Sequence, residues 1–582
     1  MYKNENVIKL QNKLKEDNIE AYLIYTSDPH FSEYAANHFL DVRKYFCPFS
    51  GSAGEVLITQ NDAFLFADGR YWIQAENELK NSLVKVIKKG DKDVLPLEEF
   101  IKSLNIKNVG VDFSFLSKLD KEKFDEFEIN LIDKDYSYLV SDLVSLPKDK
   151  LFKLDSSLTT LSKEEKIEEI LKKVEESKCD GILISTLDDI AWILNLRGND
   201  VPCNPVFYSY LYLSRKNGNH LFIDKSKINF LFDNVTLHNY ENVFDYLSKI
   251  DEKILLDSYK TNLKIINSIK NHKFGKNPSS LMKSIKGEKE IENLKKIQAI
   301  DGLALLKFQK YLEENLSSNL SEYDYSEKLK SYRLENLLCF ELSFDTICAV
   351  GKNAAQMHYE PTKEINSIVS NNEIELLVDS GGQYFGGTTD TTRTFLIGKP
   401  TKEYIHDYTL TLKAVINLSR TIFIKGSDGH TIDIRARSYM WNEGMDYKCG
   451  TGHGVGYILN VHEGPNGFRY RAVKERDDQG EIVPGMVTTI EPGVYKENKY
   501  GIRIENNLLC VPAFATSMGE FYKFETITYV PITLESVDLS LINEEEKEWI
   551  NSYHDEVYSR LTKLIKDDKE LLDFLKEKTK HI

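Results

Sequence analysis

The N-terminal half of the chain carries the same hydrophobic pattern twice. VIKLQNKLKEDNIEAYLIYTSDPH, residues 7–30, and KIEEILKKVEESKCDGILISTLDDI, residues 166–190, both place apolar residues at helical spacing. Each then continues into a short apolar run that ends in an acidic turn. The pattern predicts two related α/β domains, at residues 1–145 and 155–280, and a coincidental helix–strand unit is the alternative.

The pattern changes after residue 285. KSIKGEKEIENLKKIQAIDGLALLKFQKYLEENL, residues 283–316, is apolar on one side and charged on the other, which predicts a long helix lying on a sheet. Helical segments then alternate with β-rich segments punctuated by glycine, and helical spacing returns at the C-terminus. We therefore predict an α+β third domain at residues 285–582, with a C-terminal helical extension.

The amino-acid composition and net charge argue against some classes of protein. A hydrophobic content of 41% and a charged content of 29% are typical of a globular protein. No run reaches the roughly 18 apolar residues of a membrane helix, and a net charge of −16 without a basic stripe argues against nucleic-acid binding. Seven scattered cysteines and an N-terminus without an apolar leader indicate a cytoplasmic protein with reduced thiols.

Two acids stand at the ends of a Gly- and Thr-rich segment, in VDSGGQYFGGTTDTTRTF, residues 378–395. The β-branched residues around GGQYFGG predict a hairpin. If Asp379 and Asp390 face each other in this hairpin, its turn is centred between Tyr384 and Phe385 and their Cβ atoms lie about 5 Å apart. Carboxylates that close repel unless a cation lies between them, so the pair is either a metal site or two unrelated surface acids.

Further candidates follow along the chain. GTGHGVGYILNVHEGP holds His453 between glycines, which permit close backbone approach, and also contains His462. PGMVTTIEPGVY places Glu491 beside a Pro-Gly turn. YGIRIENNLLCV alternates as a strand does, with Arg503 and Glu505 on one face. Each residue alone is more often structural, but together the order D, D, H, E, E favours a metal site.

This combination resembles the pita-bread metallopeptidases, a group that includes methionine aminopeptidase, prolidase and aminopeptidase P. The resemblance implies two creatinase-like α/β domains followed by a pita-bread catalytic domain. DGRYWIQAE, NLRGNDVPCNPVF and FETITYVPI resemble the three-domain cytosolic aminopeptidase P, the Xaa-Pro aminopeptidase. The sequence departs from the family at Gly386, where an acid is usual.

The resemblance implies two adjacent divalent ions, with Mn²⁺ favoured by hard oxygen ligands and Co²⁺ or Zn²⁺ as alternatives. The implied ligands are Asp379, Asp390, His453, Glu491 and Glu505. Asp379 would chelate one ion, His453 and Glu491 the other, while Asp390 and Glu505 would bridge them. The ions would lower the pKa of a shared water to make a hydroxide nucleophile, and Glu491 would carry its proton to the leaving nitrogen.

Other residues are implied to act beside the ligands. His358, in ICAVGKNAAQMHYEP, and His462 would hold the scissile carbonyl and stabilise the oxyanion. Arg503 is predicted to orient a ligand carboxylate. Arg70, in DGRYW, would reach the substrate from the first domain, with a local salt bridge as the alternative.

The implied reaction releases the first residue of peptides with proline in the second position. A homodimer is implied, and CNPVFYSYLYL is either its interface or a buried strand. The close alternative is prolidase, which shares the ligands, cuts dipeptides and usually has two domains. The alternative of another class is a binding module that keeps the fold and has lost the ligands. The extra N-terminal domain favours aminopeptidase P, and the five surviving ligands favour an enzyme.

Overall fold

The computed structural model describes residues 2–69, 71–471 and 480–582. The chain divides into two compact units. The first contains Met1–Leu154 and Leu161–Ser279, and the second contains Asp155–Thr160 and Ser280–Ile582. The boundaries expected for three domains stay a prediction.

The first unit opens with one sheet and its helices. The helices are α1 (Asn4–Glu16), α2 (Asn37–Phe46), α3 (Trp72–Glu78), α4 (Leu97–Ser103) and α5 (Lys118–Glu126). The strands are β1 (Ala21–Tyr25), β2 (Glu55–Thr59), β3 (Ala63–Ala67), β4 (Val84–Lys88), β5 (Asn108–Val111) and β6 (Asn130–Asp133). They form a sheet in the order β4-β3-β2-β1-β5-β6.

A second sheet follows in the same unit. Its strands are β8 (Gly181–Ile184), β10 (Ser209–Ser214), β11 (Gly218–Ile223), β12 (Thr236–His238), β13 (Ile254–Leu256) and β14 (His272–Phe274), after the short pair β7 (Phe152–Lys153) and β9 (Leu196–Arg197). The helices are α6 (Lys163–Glu176), α7 (Leu187–Leu194), α8 (Asn242–Ser248) and α9 (Leu263–Ser268), and α10 (Pro278–Ser284) comes next. The sheet order is β12-β11-β10-β8-β13-β14.

The two sheets have the same construction. The central strands β1 and β8 each pair antiparallel with one neighbour and parallel with the other. A parallel strand closes each edge. Helices α1 and α6, which precede the central strands, bury apolar residues at helical spacing, such as Leu10 with Leu14 and Ile170 with Val174. The prediction of two related α/β domains is therefore confirmed, and the apolar run that was an interface candidate forms the buried strand β10.

The second unit alternates helices and short strands. Its helices are α11 (Glu288–Asn315), α12 (Glu322–Leu334), α13 (Gly351–Ala354), α14 (Lys402–Ser419), α15 (Gly429–Asn442), α16 (Glu544–Thr562) and α17 (Lys569–Lys578). Its first strands are β15 (Cys339–Leu342), β16 (Ile347–Val350), β17 (Glu375–Ser380), β18 (Gly382–Tyr384), β19 (Gly387–Thr388) and β20 (Thr391–Leu396). The later strands are β21 (Ile422–Ile424), β22 (Gly452–His453), β23 (Gly467–Phe468), β24 (Val487–Ile490), β25 (Gly493–Lys496), β26 (Tyr500–Arg503), β27 (Asn506–Thr516) and β28 (Gly519–Thr526).

This unit contains small antiparallel sheets and several apolar clusters. Their orders are β16-β17-β20, β15-β18-β19 and β21-β28-β27-β24, with the pairs β22-β23 and β25-β26. One of these clusters joins Val415 of α14 with Ile490, Ile502 and Leu508 of the strands and Val557 of α16. The C-terminal helices α16 and α17 therefore pack into this apolar cluster. Among the residues that the structure describes, no helix combines the length and apolarity needed to span a membrane.

Candidate active site

The segment between Asp379 and Asp390 is a hairpin in a different register from the predicted one. Asp379 on β17 lies opposite Thr392 on β20. The expectation that the two aspartates face each other directly is therefore wrong. The turn lies one residue later than expected, between Phe385 and Gly386, since Tyr384 pairs with Gly387.

Glycine conformation explains the displaced turn. Gly386 has a φ of 135° and Gly387 has a φ of 159°. Side chains of L residues rarely adopt the φ of Gly386, so the turn falls on the glycine rather than on the aromatic pair before it. The shift moves the residue opposite Asp379 by two positions, from Asp390 to Thr392. Because side chains alternate between the two faces of a strand, a shift of two positions leaves each residue on the same face.

The expected ligands converge in the second unit. Nε2 of His453 lies 3.4 Å from Oδ2 of Asp390 and 3.6 Å from Oε1 of Glu491. Ligand atoms of Asp390, His453 and Glu505 lie within 4.8 Å of one another. The negative charge of Asp379 acts on Asp390, Glu491 and Glu505 and raises their pKa values. Four carboxylates and one imidazole thus form one cluster.

The cluster holds more negative charge than its surroundings balance. Burial is the largest cause that raises the pKa values of Asp390, Glu491 and Glu505, and repulsion among the acids adds to it. Oδ1 of Asp379 is buried and has no hydrogen-bond partner among the described residues. Buried acids with an open acceptor need a cation, and a donor set of carboxylates with one imidazole fits divalent metal ions.

One hydrogen bond sets the tautomer of His453. Its Nδ1 lies 2.9 Å from the carbonyl oxygen of Gly454. Because a carbonyl only accepts, Nδ1 carries the proton and donates, and Nε2 faces the carboxylates, as a metal-ligating imidazole requires. Burial opposes a charged ring, but hydrogen bonding to Asp390 and the charge of Glu491 outweigh it and raise the pKa of His453 to about 9.

The glycines beside His453 permit close backbone contacts. A Cβ on Gly452 would lie 1.9 Å from the carbonyl oxygen of Thr489, and a Cβ on Gly454 would lie 2.0 Å from that of Glu463. Both distances are far inside van der Waals contact. Only glycine therefore allows the His453 strand to lie this close to the neighbouring chain segments.

Arg503 connects several parts of the cluster. Its Nη2 donates to Oδ2 of Asp379 at 2.6 Å, and its Nε donates to Oγ1 of Thr392 at 3.1 Å. The Thr392 hydroxyl in turn donates to Oε2 of Glu505 at 2.8 Å. Nη1 of Arg503 donates to the Tyr495 hydroxyl at 2.7 Å. Arg503 therefore orients one expected ligand directly and a second one through Thr392.

The strand expected to carry both Arg503 and Glu505 is interrupted. β26 ends at Arg503 and pairs with β25, whereas β27 begins at Asn506 and pairs with β24 and β28. The backbone N–H of Glu505 donates to the carbonyl oxygen of Thr392 at 3.1 Å. The chain thus changes partner strands at Glu505, which brings this acid against β20.

The two histidines that are expected to contact the substrate differ in position. The ring of His462 is half-buried and stands nearly perpendicular to that of His453, with 4.1 Å between the centroids. His358 is exposed, and the carbonyl oxygen of Met357 before it accepts from Nη1 of Arg503 at 3.5 Å. Its loop therefore borders the cluster. Arg70 lies outside the described residues.

Sequence reasoning assigned no role to Thr392, Tyr495 or Arg393. Arg393 is fully buried and donates to the carbonyl oxygen of Glu505 at 2.6 Å and to Oδ1 of Asn506 at 2.9 Å. The sequence feature that could have indicated a role for Arg393 is a single cation in a run of threonines. Thr392 and Tyr495 carry no such signal, because the contact of Thr392 joins strands that are distant in sequence and the contact of Tyr495 depends on how β25 pairs with β26.

Known protein families match nearly the whole chain in consecutive segments. The creatinase/prolidase N-terminal domain matches twice, at residues 7–129 and 142–290. Metallopeptidase family M24 matches residues 292–512, and the C-terminal region of that peptidase matches residues 520–582. The M24 match contains all the expected metal ligands.

Full-length relatives decide the family. The chain is 36% identical to Xaa-Pro aminopeptidase 1 of Dictyostelium discoideum, over 99% of this chain and 96% of the relative. The chain belongs to the Xaa-Pro aminopeptidases. A probable Xaa-Pro aminopeptidase P of Laccaria bicolor is 35% identical over 98% of this chain and 92% of that protein. The chain is thus an aminopeptidase of metallopeptidase family M24, and the predicted enzyme class is confirmed.

Comparison with solved structures supports the same family. X-prolyl aminopeptidase of Caenorhabditis elegans, described as a cytosolic enzyme with a di-nuclear active site, superposes with a TM-score of 0.92 at 33% identity, over 99% of both chains. The predicted fold, two creatinase-like domains and a pita-bread catalytic domain, is confirmed. The prolidase of Thermococcus sibiricus has a TM-score of 0.52 at 21% identity, over 64% of this chain and 98% of its own, and shows a shared fold.

Proposed function

We propose that this enzyme removes the N-terminal residue of peptides whose second residue is proline, with two divalent ions bound by the acidic cluster. The observation that carries the proposal is the convergence of Asp390, His453, Glu491 and Glu505 beside Asp379. Membership of the Xaa-Pro aminopeptidases supplies the substrate class.

The donor set supports two ions. Asp379 would hold one, His453 and Glu491 would hold the other, and Asp390 with Glu505 would lie between them. Four carboxylates match the charge of two divalent cations, and hard oxygen donors favour Mn²⁺ over Co²⁺ or Zn²⁺. When bound, the ions would supply Lewis acidity and lower the pKa of a shared water.

The protein's own groups would orient the substrate and move the proton. Glu491, whose Oε1 lies 3.6 Å from Nε2 of His453, would accept a proton from the attacking water. It would then protonate the prolyl nitrogen, which carries no N–H in the peptide bond. His358 and His462 would donate hydrogen bonds to the scissile carbonyl as negative charge develops there. Arg503 and Thr392 would keep the carboxylates in place.

Three features extend the proposal on family grounds. We place the enzyme in the cytosol, because its relative from Caenorhabditis elegans is described as cytosolic. A homodimer and a contact between Arg70 and the substrate stay predictions that rest on the resemblance alone.

Cleavage of two peptides by metal-stripped protein tests the function. Arg-Pro and Arg-Pro-Pro are each incubated before and after addition of Mn²⁺, with Asp390→Asn as the control. Mn²⁺-dependent release of arginine from Arg-Pro-Pro is the expected result. Cleavage of Arg-Pro alone would favour a prolidase. Cleavage of neither peptide by the metal-loaded protein would favour a binding module.

A further inference from the structure

His358 lies on a loop that one buried carboxylate holds in place. This loop, residues 351–366 and here termed the histidine loop, connects Val350 of β16 to Ser367. The carboxylate belongs to Glu322, the first residue of α12, which is fully buried. Among the described residues, Glu322 forms no ion pair with a lysine or arginine; burial raises its pKa, and its hydrogen-bond donors oppose that rise.

Glu322 accepts hydrogen bonds from both ends of the histidine loop. The N–H of Val350 donates to Oε1 at 2.8 Å, and the N–H of Ser367 donates to Oε2 at 2.7 Å. The amide of Asn353 donates to both oxygens at 3.1 Å. The two oxygens of Glu322 therefore bind the entry, the first turn and the exit of the loop.

The remaining contact of Glu322 adjoins His358 itself. The hydroxyl of Tyr359 donates to Oε2 of Glu322 at 2.8 Å. On the other side of His358, the carbonyl oxygen of Met357 accepts from Arg503, which also binds Asp379. Both chain neighbours of His358 are thus tied down, one to the metal-ligand network and one to Glu322.

We propose that Glu322 and Tyr359 are positioning residues that hold His358 in place for its contact with the scissile carbonyl. The proposal rests on the role given to His358 in the proposed function. The physical basis is that a buried carboxylate without a cation is stable only while its donors remain in place. Its set of donors therefore fixes the conformation of the loop, and a displacement of about 1 Å costs up to about 100-fold in rate.

Tyr359→Phe tests the proposal with the smallest structural change. It removes the hydroxyl next to His358 and leaves Glu322 its three other donors. We expect kcat/KM for Arg-Pro-Pro to fall about 10- to 100-fold. The number of Mn²⁺ ions bound and their affinity should stay at the wild-type level, because no metal ligand is changed.

A matched control removes the same kind of hydrogen bond elsewhere. The Tyr136 hydroxyl donates to Oδ2 of Asp17 at 2.8 Å in the first unit. Tyr136→Phe loses one tyrosine–carboxylate bond of equal length far along the chain from the histidine loop. We expect wild-type kcat/KM for this variant.

A double-mutant cycle with His358→Ala separates positioning from general destabilisation. If Tyr359 acts through His358, then Tyr359→Phe lowers kcat/KM in the wild-type protein and causes no further loss in His358→Ala. Equal losses in both backgrounds, or no loss in the wild type, would overturn the proposal. Glu322→Gln, assayed at a temperature where it is folded, should show the same dependence on His358.

Failure of the proposed function gives a different pattern. Wild-type activity in His358→Ala would remove the catalytic role of that histidine and the positioning proposal with it. A large loss in His358→Ala together with an unchanged Tyr359→Phe would leave the proposed function in place. That combination would overturn the positioning role alone.

Discussion

Two sets of buried acids, one in each unit, differ in how their charges are met. In the first unit, Asp200 accepts from the Lys227 ammonium group and from the N–H of Tyr208 at 2.8 Å. Asp28 accepts from the N–H of His30 at 2.8 Å and from the Tyr208 hydroxyl at 3.0 Å. Their charges are met by donors of the chain itself, as expected for groups that stabilise a fold.

The acidic cluster of the second unit instead gathers acids without enough donors. Asp390, Glu491 and Glu505 repel one another, and Oδ1 of Asp379 has no partner among the described residues. Arg503 contacts this set directly through Asp379. A satisfied buried acid is thus a structural feature, whereas a group of unsatisfied ones indicates a site that needs a ligand. The contrast predicts opposite responses to the same substitution.

The largest difference in stability and metal binding is expected between Asp390→Asn and Asp200→Asn. Asp390→Asn removes one of several repelling charges, so the metal-free protein should keep its stability. Metal binding should weaken, and kcat/KM should fall about 10³-fold or more, because the loss of Lewis-acid stabilisation costs several kcal/mol. Activity assays and Mn²⁺ titrations measure these effects.

Asp200→Asn should give the reverse result. It leaves the buried ammonium group of Lys227 without its anion, which costs about 3–5 kcal/mol of unfolding free energy. Metal binding should be unchanged, as measured by Mn²⁺ titration of the folded protein, while urea unfolding measures the stability. Equal loss of stability in the two variants would contradict the distinction between satisfied and unsatisfied acids.

Arg503→Lys should have a smaller effect on the same site. A lysine has no fork of donors and cannot contact Asp379 and Thr392 together. We expect metal affinity or kcat to fall about 10- to 100-fold. Arg215→Lys is the control, because Arg215 binds Glu168 through two bonds of 2.9 Å at the protein surface. An Arg503→Lys variant that matched this control would remove the orienting role.

His554 extends the comparison to a buried imidazole. It is fully buried on α16, and its Nε2 accepts from the N–H of Ile532 at 3.1 Å. Burial lowers the pKa of His554 to about 4, against about 6.5 in an unfolded chain. The unfolded state therefore binds the proton first, and stability falls as the pH drops from about 6.5 to about 4.

The expected loss from His554 at pH 5 is about 2 kcal/mol relative to pH 7. His554→Gln keeps an acceptor for Ile532 and lacks the titrating ring, so its unfolding free energy should fall less over this range. Urea unfolding of both proteins at pH 5 and pH 7 measures the difference. Identical pH dependence would show that His554 is not an acid-sensitive group.

Hydrophobic periodicity was sufficient to predict the doubled N-terminal architecture. The spacing of Leu10 and Leu14 in α1 recurs in Ile170 and Val174 of α6, and a buried strand follows both helices. Likewise, the long helix expected at residues 283–316 is observed at Glu288–Asn315. These features are local, so their signal lies in consecutive residues.

The register of the strands and the choice of partner strands could not be predicted from the local sequence pattern. The threonines after Asp390 alternate equally well in several registers, and the φ of Gly386 selects one of them. The contact between Thr392 and Arg503 joins strands more than a hundred residues apart. The contact between Tyr495 and Arg503 joins strands only eight residues apart. The order of the acidic motifs named the candidate ligands, but only the fold shows how Arg503 connects them.

The most direct test counts bound ions and activity in one titration. Metal-stripped protein is titrated with Mn²⁺ in equilibrium dialysis, and each sample is assayed for release of arginine from Arg-Pro-Pro. We predict two ions per chain, with full activity reached as the second ion binds, and fewer than two ions with Asp390→Asn. Full activity in the wild type with no ion bound, or wild-type ion binding and activity in Asp390→Asn, would contradict the account.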